Sequence, residues 1–406
     1  MTLKRRIPLL KDRHAHPSFF AALMGLDCLD ISSITDKQEA LSLIKKKKRD
    51  IVVVTGWNDG FYSFTKKELD TLSPLFICNA SFHRFIMNQG AKDKLYNSYK
   101  LIVTNIDDQN FTERNLFLIQ QFMVNIKPLS LESLKYYYDG ILDLGIWYAE
   151  EMMLPDQAII NKFDQAGFLN TKTLLWADLN TFHSLEPEDQ KKIYGIKIFI
   201  DGALGSRGVV MEKPFLPGEN GILIHSDKEL QKILTDISNI KMPLAIHVIG
   251  DKAISQIINT LNTIKQTAGN LPPIIRLEHC QFISKADALK AKSLGIILSM
   301  QPNFSYESIR FSDRLSKSHC LRNNPFRMLI DQAGFIPGKD LIFGSDDMPP
   351  GIDCALTMSL FPPLPSQKLT LDEFIAGYCM ADIENGFIDI NIDKDKKSIA
   401  YKVSIK

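Results

Sequence analysis

PLAIHVIGDKAISQIINTLNTIKQTAGNLPPIIRLEH, residues 243–279, decides the fold of this chain. It opens on an apolar run without in/out alternation, passes through a stretch (252–268) whose apolar residues fall three and four apart, and closes on a second apolar run. Strand, helix and strand with no solvated strand face is the repeating unit of a parallel sheet covered on both sides. YGIKIFI (194–200), GIILSMQ (295–301) and DLIFGSD (340–346) read as further strands of the kind, with helical patterns at 228–238 and 284–293. The chain is therefore a βα repeat, doubly wound or closed into a barrel.

Polar residues interrupt this pattern at the C-terminal ends of the strands. His247, His279 and Asp346 each close an apolar run, and in a barrel all such ends face one rim. His247 and His279 lie one βα unit apart and Asp346 follows about two units later, so three metal-ligating residue types fall at three neighbouring strand ends. His14 and His16 form an HxH pair whose rings, two residues apart on an extended strand, project to the same face. Lys197 sits inside YGIKIFIDG, where a buried ammonium is costly. Two answers stay open for it. Carbon dioxide can carbamylate the amine into an anionic ligand, or the lysine snorkels to the rim or pairs with a carboxylate such as Asp201.

Composition narrows the rest. With 48 Lys+Arg against 47 Asp+Glu the chain has no field to draw nucleic acid or an anionic membrane. No apolar window approaches the roughly 18–20 residues of a spanning helix. The start, MTLKRRIPLLKDRHAH, lacks a signal-peptide hydrophobic region, so a cytoplasmic location is expected. The six cysteines stand far apart without a CxxC pair, which predicts reduced thiols instead of a zinc knuckle. Lys45 to Arg49 reads as a solvated helix end. DGALGSRG (201–208) follows a strand and is glycine-rich, yet it matches neither a Walker loop nor GxGxxG. It reads as a tight turn, structural or carrying Arg207 toward substrate. No GxSxG elbow is present.

In order along the chain these segments resemble the amidohydrolase superfamily, specifically its amidohydrolase-3 branch of YtcJ-like and N-substituted formamide deformylase-like enzymes. PLLKDRHAH (8–16) matches the first signature, with Pro8, Asp12, His14 and His16 in register. GWNDG (56–60) and the segment carrying His83 and Asn88 match a second. KIFIDGALGSRG, AIHVIGDKA, RLEHCQFIS, ILSMQP and FGSDDMPPGID follow in family order, and the likeness spans roughly positions 8–380.

The resemblance implies a distorted TIM (β/α)8 barrel over residues 7–381, binding one or two divalent metal ions, zinc being the first expectation. His14 and His16 would bind one metal, His247 and His279 the other, with Lys197 a carbamylated bridge. Asp346 would touch the first metal and act as general base while metal-bound hydroxide attacks a carbonyl, cleaving a C–N bond of an amide, N-formyl or cyclic amide. His83 and Arg207 would contact a small-molecule substrate. The family's urease-like β-sandwich is expected to be reduced or missing: 13 residues precede His14, and the alternating tail 382–406 reads as one hairpin. That edge offers a seat for a second subunit, so a homodimer is a further expectation.

LLKD places Lys11 where the family has an apolar residue. Substrate identity is not readable, because loops such as Phe215 to Gly221 and Asn303 to Cys320 would shape the pocket. Two other readings stay open: a degenerate barrel serving as a binding or scaffold protein, and a different chemistry at the same rim, such as single-metal deamination or phosphoester hydrolysis.

Overall fold

A computed structural model describes residues 2–216, 218–267 and 269–406; Pro217, in the 215–221 loop, and Ala268, the last residue of the expected 252–268 helix, lie outside them. Its strands are β1 (Thr2–Pro8), β2 (Leu10–Ala15), β3 (Leu29–Asp30), β4 (Val52–Trp57), β5 (Leu75–Asn79), β6 (Phe85–Met87), β7 (Ile146–Glu151) and β8 (Leu175–Ala177). There follow β9 (Ile193–Phe199), β10 (Leu244–Val248), β11 (Ile275–His279), β12 (Ile297–Met300), β13 (Leu341–Phe343), β14 (Gly386–Asp393) and β15 (Ser398–Ile405).

Eight strands form one parallel sheet in the order β13-β12-β11-β10-β9-β8-β7-β2, the order of a (β/α)8 barrel. The apolar runs are strands because both their faces are covered. Leu244, Ala245, Ile246 and Val248 are all fully buried. The helix Asp251–Thr267 covers the outside with Ile254, Ile257, Ile258, Leu261 and Ile264, spaced three and four apart as expected. Each such side chain contributes about 1.5–3 kcal/mol when wholly removed from water.

Asp12 draws the two ends of the sheet together. Its carboxylate accepts from the backbone N–H of Ser345 (2.9 Å), the Ser345 hydroxyl (2.5 Å), the His14 N–H (3.2 Å) and the Tyr378 hydroxyl (3.1 Å). The Asp346 N–H donates to the His14 carbonyl at 2.7 Å across the same seam. Gly344 permits this approach, since a Cβ there would lie 2.5 Å from the His14 nitrogen. The signature aspartate thus serves closure, and burial pushes its pKa up to about 7.

Two smaller sheets flank the barrel. The tail forms the expected hairpin, β14 with β15, and β1 adds to it antiparallel, so this sheet draws on both ends of the described chain. Ile7, Ile388, Ile390 and Ile392 are buried beneath it. Between β2 and β7 lies a separate four-stranded sheet, β3-β4-β5-β6, with its own apolar core of Val52, Val54, Leu75 and Ile77 under the helix Lys37–Lys46. This insertion was not separated from the barrel in the sequence reading. No described helix is long and apolar enough to cross a membrane.

Candidate metal centre

The C-terminal rim gathers four imidazoles from distant points of the sequence. His14 lies next to the end of β2, and His16 sits where the chain turns into the helix Pro17–Leu26. His247 lies near the end of β10 and His279 at the end of β11. Their rings form a row: His16 to His14 at 5.5 Å between centroids, His14 to His279 at 4.6 Å, His279 to His247 at 4.5 Å. Asp346 stands at one end, its Oδ1 3.0 Å from His16 Nε2 and 3.6 Å from His14 Nε2. One donor atom each from His14, His279 and Asp346 falls within 4.8 Å of the others. This trio cuts across the pairing expected from sequence, in which His14 went with His16 and His279 with His247.

The outward-facing nitrogens are fixed from behind. His14 Nδ1 meets Glu278 Oε2 at 2.7 Å, and His279 Nδ1 meets Gln301 Oε1 at 2.8 Å. Each contact commits Nδ1–H to the acceptor and leaves Nε2 as a lone pair toward the rim, the arrangement metal-ligating histidines use. Burial holds His14, His247 and His279 well below the ordinary histidine range, so they stay neutral and able to ligate. For His16 burial acts in the same direction, but the hydrogen bond to Asp346 and the negative charges of Asp346 and Glu151 together outweigh it and raise the pKa. His279 and Asp346 both carry positive φ, 71° and 58°, a strained backbone of the kind that concentrates at functional sites.

Lys197 is fully buried and its Nζ has no hydrogen-bond partner. Asp201 does not rescue it. That carboxylate instead accepts the backbone N–H groups of Val210, Ile249 and Gly250 at 2.9–3.0 Å, pinning the loop after β9 to the end of β10. Desolvation lowers the lysine pKa to about 8, with Glu278 and Asp346 pulling the other way. An orphaned amine beside neutral imidazoles and a carboxylate suits a divalent cation with nitrogen and oxygen ligands, and suits a carbamate in place of the amine.

The remaining two residues diverge. His83 reaches the rim: its ring lies 5.5 Å from His247, and Nδ1 contacts Glu113 Oε2 at 2.7 Å. Glu113, which sequence reasoning missed, is buried on the short helix Gln109–Arg114 and also accepts the Ser206 hydroxyl at 2.8 Å. DGALGSRG owes two of its glycines to this carboxylate, since a Cβ on Gly202 or Gly208 would lie 2.3 or 2.2 Å from Glu113 Oε1. Arg207 is not among the residues lining the rim cavity. Its guanidinium bonds Asp59 at 2.9 Å and lies 3.4 Å from Glu219.

The cavity itself has a volume of about 60 Å³ and is lined by the histidines, Asp346 and a wall that includes Phe19, Phe20, Phe82 and Phe304. Ser81, Phe304, Glu307 and Met348 are shared with a neighbouring cleft of about 350 Å³.

Comparison with known proteins agrees with this geometry. The amidohydrolase family (Amidohydro_3) matches residues 159–357, which hold Lys197, His247, His279 and Asp346. "Putative amidohydrolase YtcJ" of Bacillus subtilis (strain 168) is 24% identical over 344 residues, 75% of this chain and 64% of that protein. "Protein LONG AFTER FAR-RED 3" of Arabidopsis thaliana is 22% identical over 274 residues, 61% of this chain and 46% of that protein. The chain thus spans less than two thirds of the length of either relative. Two solved structures, uncharacterized metal-dependent hydrolases of Pyrococcus furiosus and Pyrococcus horikoshii OT3, share the fold with TM-scores of 0.64 and 0.63 at 19% and 21% identity. They cover 91% and 88% of this chain, which covers 80% and 74% of theirs.

Proposed function

From the premise that the chain belongs to the amidohydrolase family, we propose that it is a metal-dependent hydrolase cleaving a C–N bond of a small amide, N-formyl compound or cyclic amide. The observation that carries this reading is the convergence of His14, His279 and Asp346 to within 4.8 Å at the barrel mouth. A divalent cation, zinc in the first instance, supplies there the positive charge that acidifies water and polarises a carbonyl oxygen.

The chain's own groups do the rest. Glu278 and Gln301 orient the two imidazoles, and Asp346 accepts the proton of the attacking water and returns it to the departing nitrogen. Lys197, whose buried Nζ has no hydrogen-bond partner, would on adding carbon dioxide and losing one proton become a carbamate and offer a second anionic ligand to the cation. The aromatic wall excludes bulk water from the reacting bond. His83, anchored by Glu113, faces the substrate side of the row.

Turnover of a panel of N-acyl and N-formyl compounds by the zinc-loaded protein tests the reading. Hydrolysis releasing free amine supports it, whereas tightly bound metal with no turnover of any amide would favour a binding or scaffold role.

A further inference from the structure

Three guanidiniums from three separate segments meet at one carboxylate outside the rim cavity. Asp59 lies in GWNDG, the loop after β4, and its side chain is 7% exposed. Its Oδ2 accepts from Arg84 Nη1 and from Arg207 Nη1, each at 2.9 Å, and its Oδ1 accepts from Arg314 Nη1 at 3.3 Å. Arg84 follows His83 in the turn between β5 and β6, Arg207 stands in the loop after β9, and Arg314 in the 303–320 loop. Asp59 does not line the cavity, yet each of these segments does: Phe82 and His83 from the first, Leu204 from the second, Phe304 and Glu307 from the third.

Isolated, partly exposed ion pairs contribute little, but this knot differs in two respects. Arg314 is fully buried, and its Nη1 also donates to the Gly205 carbonyl at 3.1 Å, directly beside Leu204. Its other acid, Asp313, is half exposed, so loss of Asp59 would leave a desolvated cation poorly paired. The three arginines also share one acceptor, and a single uncharged side chain at position 59 weakens all three ties together. The segments touch here with little slack. A Cβ on Gly60 would lie 2.8 Å from Arg314 Nη2, and one on Gly205 would lie 2.9 Å from the Ser81 side chain.

We propose that Asp59 is a positioning residue. It seats the turn that carries His83, and the loop that carries Phe304 and Glu307, against the loop after β9, and so sets the mouth of the cavity without touching substrate. Glu113 holds the His83 ring from behind, and Asp59 holds the turn on which that ring rides. This assignment deepens the C–N hydrolase reading and rests on it only for what the cavity is used for.

Three variants of the zinc-loaded full chain test it, each with a thermal melt to verify folding. Asp59→Asn keeps the size of the side chain and removes its charge. Asp313→Asn removes an acid that bonds Arg314 but neither Arg84 nor Arg207. Arg84→Gln cuts one tie at the surface, where the fold is not at risk. Amide hydrogen exchange is followed by mass spectrometry, and the His83 ring by the NMR signal of its Cε1–H, assigned with His83→Gln. In Asp59→Asn, exchange over 80–87 and 303–316 is expected to quicken roughly tenfold or more, and the His83 signal to move while zinc content stays the same. Arg84→Gln should quicken 80–87 alone, and Asp313→Asn should leave both that segment and the His83 signal as in the parent. Unchanged exchange in Asp59→Asn and Arg84→Gln, quickening spread evenly over the barrel, an equal effect of Asp313→Asn, or an unmoved His83 signal would overturn the assignment. No arm involves turnover, so failure here counts against Asp59, whereas the absence of amide hydrolysis counts against the hydrolase reading.

Discussion

Arg276 is a cation buried in the barrel and tied to Glu278, which holds His14 of the candidate metal site, and its removal has a cost that the structure lets one work out. The side chain is 4% exposed. It donates to Glu278 Oε1 at 2.9 Å, Glu150 Oε2 at 2.6 Å and the Arg13 carbonyl at 2.6 Å, and lies over the Trp176 ring at 4.9 Å. Burial lowers its pKa, but Glu150 and Glu278 outweigh that and hold the guanidinium charged. Arg276→Met fills similar volume yet strands two buried carboxylates, a loss of about 3–5 kcal/mol, which is a large share of the roughly 5–15 kcal/mol that keeps a domain folded. Urea titration of both proteins reads the difference. Adding Glu150→Met to Arg276→Met should recover part of it. Because Glu278 also holds His14, zinc affinity should fall about 10- to 100-fold. A loss below about 1 kcal/mol with zinc affinity unchanged would refute the claim that this network supports the site.

Asp346→Asn should leave the melting temperature near that of the parent while lowering turnover by about 10²–10⁴-fold, as for a lost general base; activity within threefold of the parent, roughly the scatter of a surface change, would remove Asp346 from the mechanism. Gly202→Ala places a methyl against Glu113 and should cost about 1–3 kcal/mol; an unaltered melt together with unaltered His83 geometry in a crystal structure would contradict the assigned cradle. Asp251 gives a pH test away from the metal. Burial pushes its pKa up, but hydrogen bonds from His319, the Glu212 N–H and Arg322 outweigh this and hold it below the ordinary aspartate value. A depressed carboxylate stabilises the fold above its unfolded pKa, and that stabilisation is lost as pH falls through the folded pKa. The melting-temperature gap between parent and Asp251→Asn should therefore be full above about pH 5 and close below about pH 4; a gap that widens on acidification would show the sign to be wrong.

The fold was legible where the chain is most regular. Runs such as LAIHV and IRLEH are buried on both faces, so they carry no alternation and announce a parallel sheet directly. His247, His279 and Asp346 were legible for a related reason: a polar residue that ends such a run has few places to go but the rim. Glu113 was not. It stands 30 residues beyond His83 on a six-residue helix, and its one trace in the sequence is the glycine spacing of DGALGSRG, which records a vacancy without naming the group that fills it. The four-stranded insertion was hidden because VVVTGW and LFICN have the composition of barrel strands, and only their pairing with each other sets them apart. In β1 the side chains of Lys4, Arg5 and Arg6 are exposed on one small sheet, and that charge disguised a strand whose partner lies at the far end of the chain.

A crystal of the zinc-treated protein measured at the zinc absorption edge tests most directly whether the rim holds a metal through His14, His279 and Asp346. The expected result is an anomalous peak about 2.0–2.2 Å from a nitrogen of each histidine and an oxygen of Asp346. A protein saturated with zinc that shows no peak at those three side chains, or shows its peaks only elsewhere, would contradict the account.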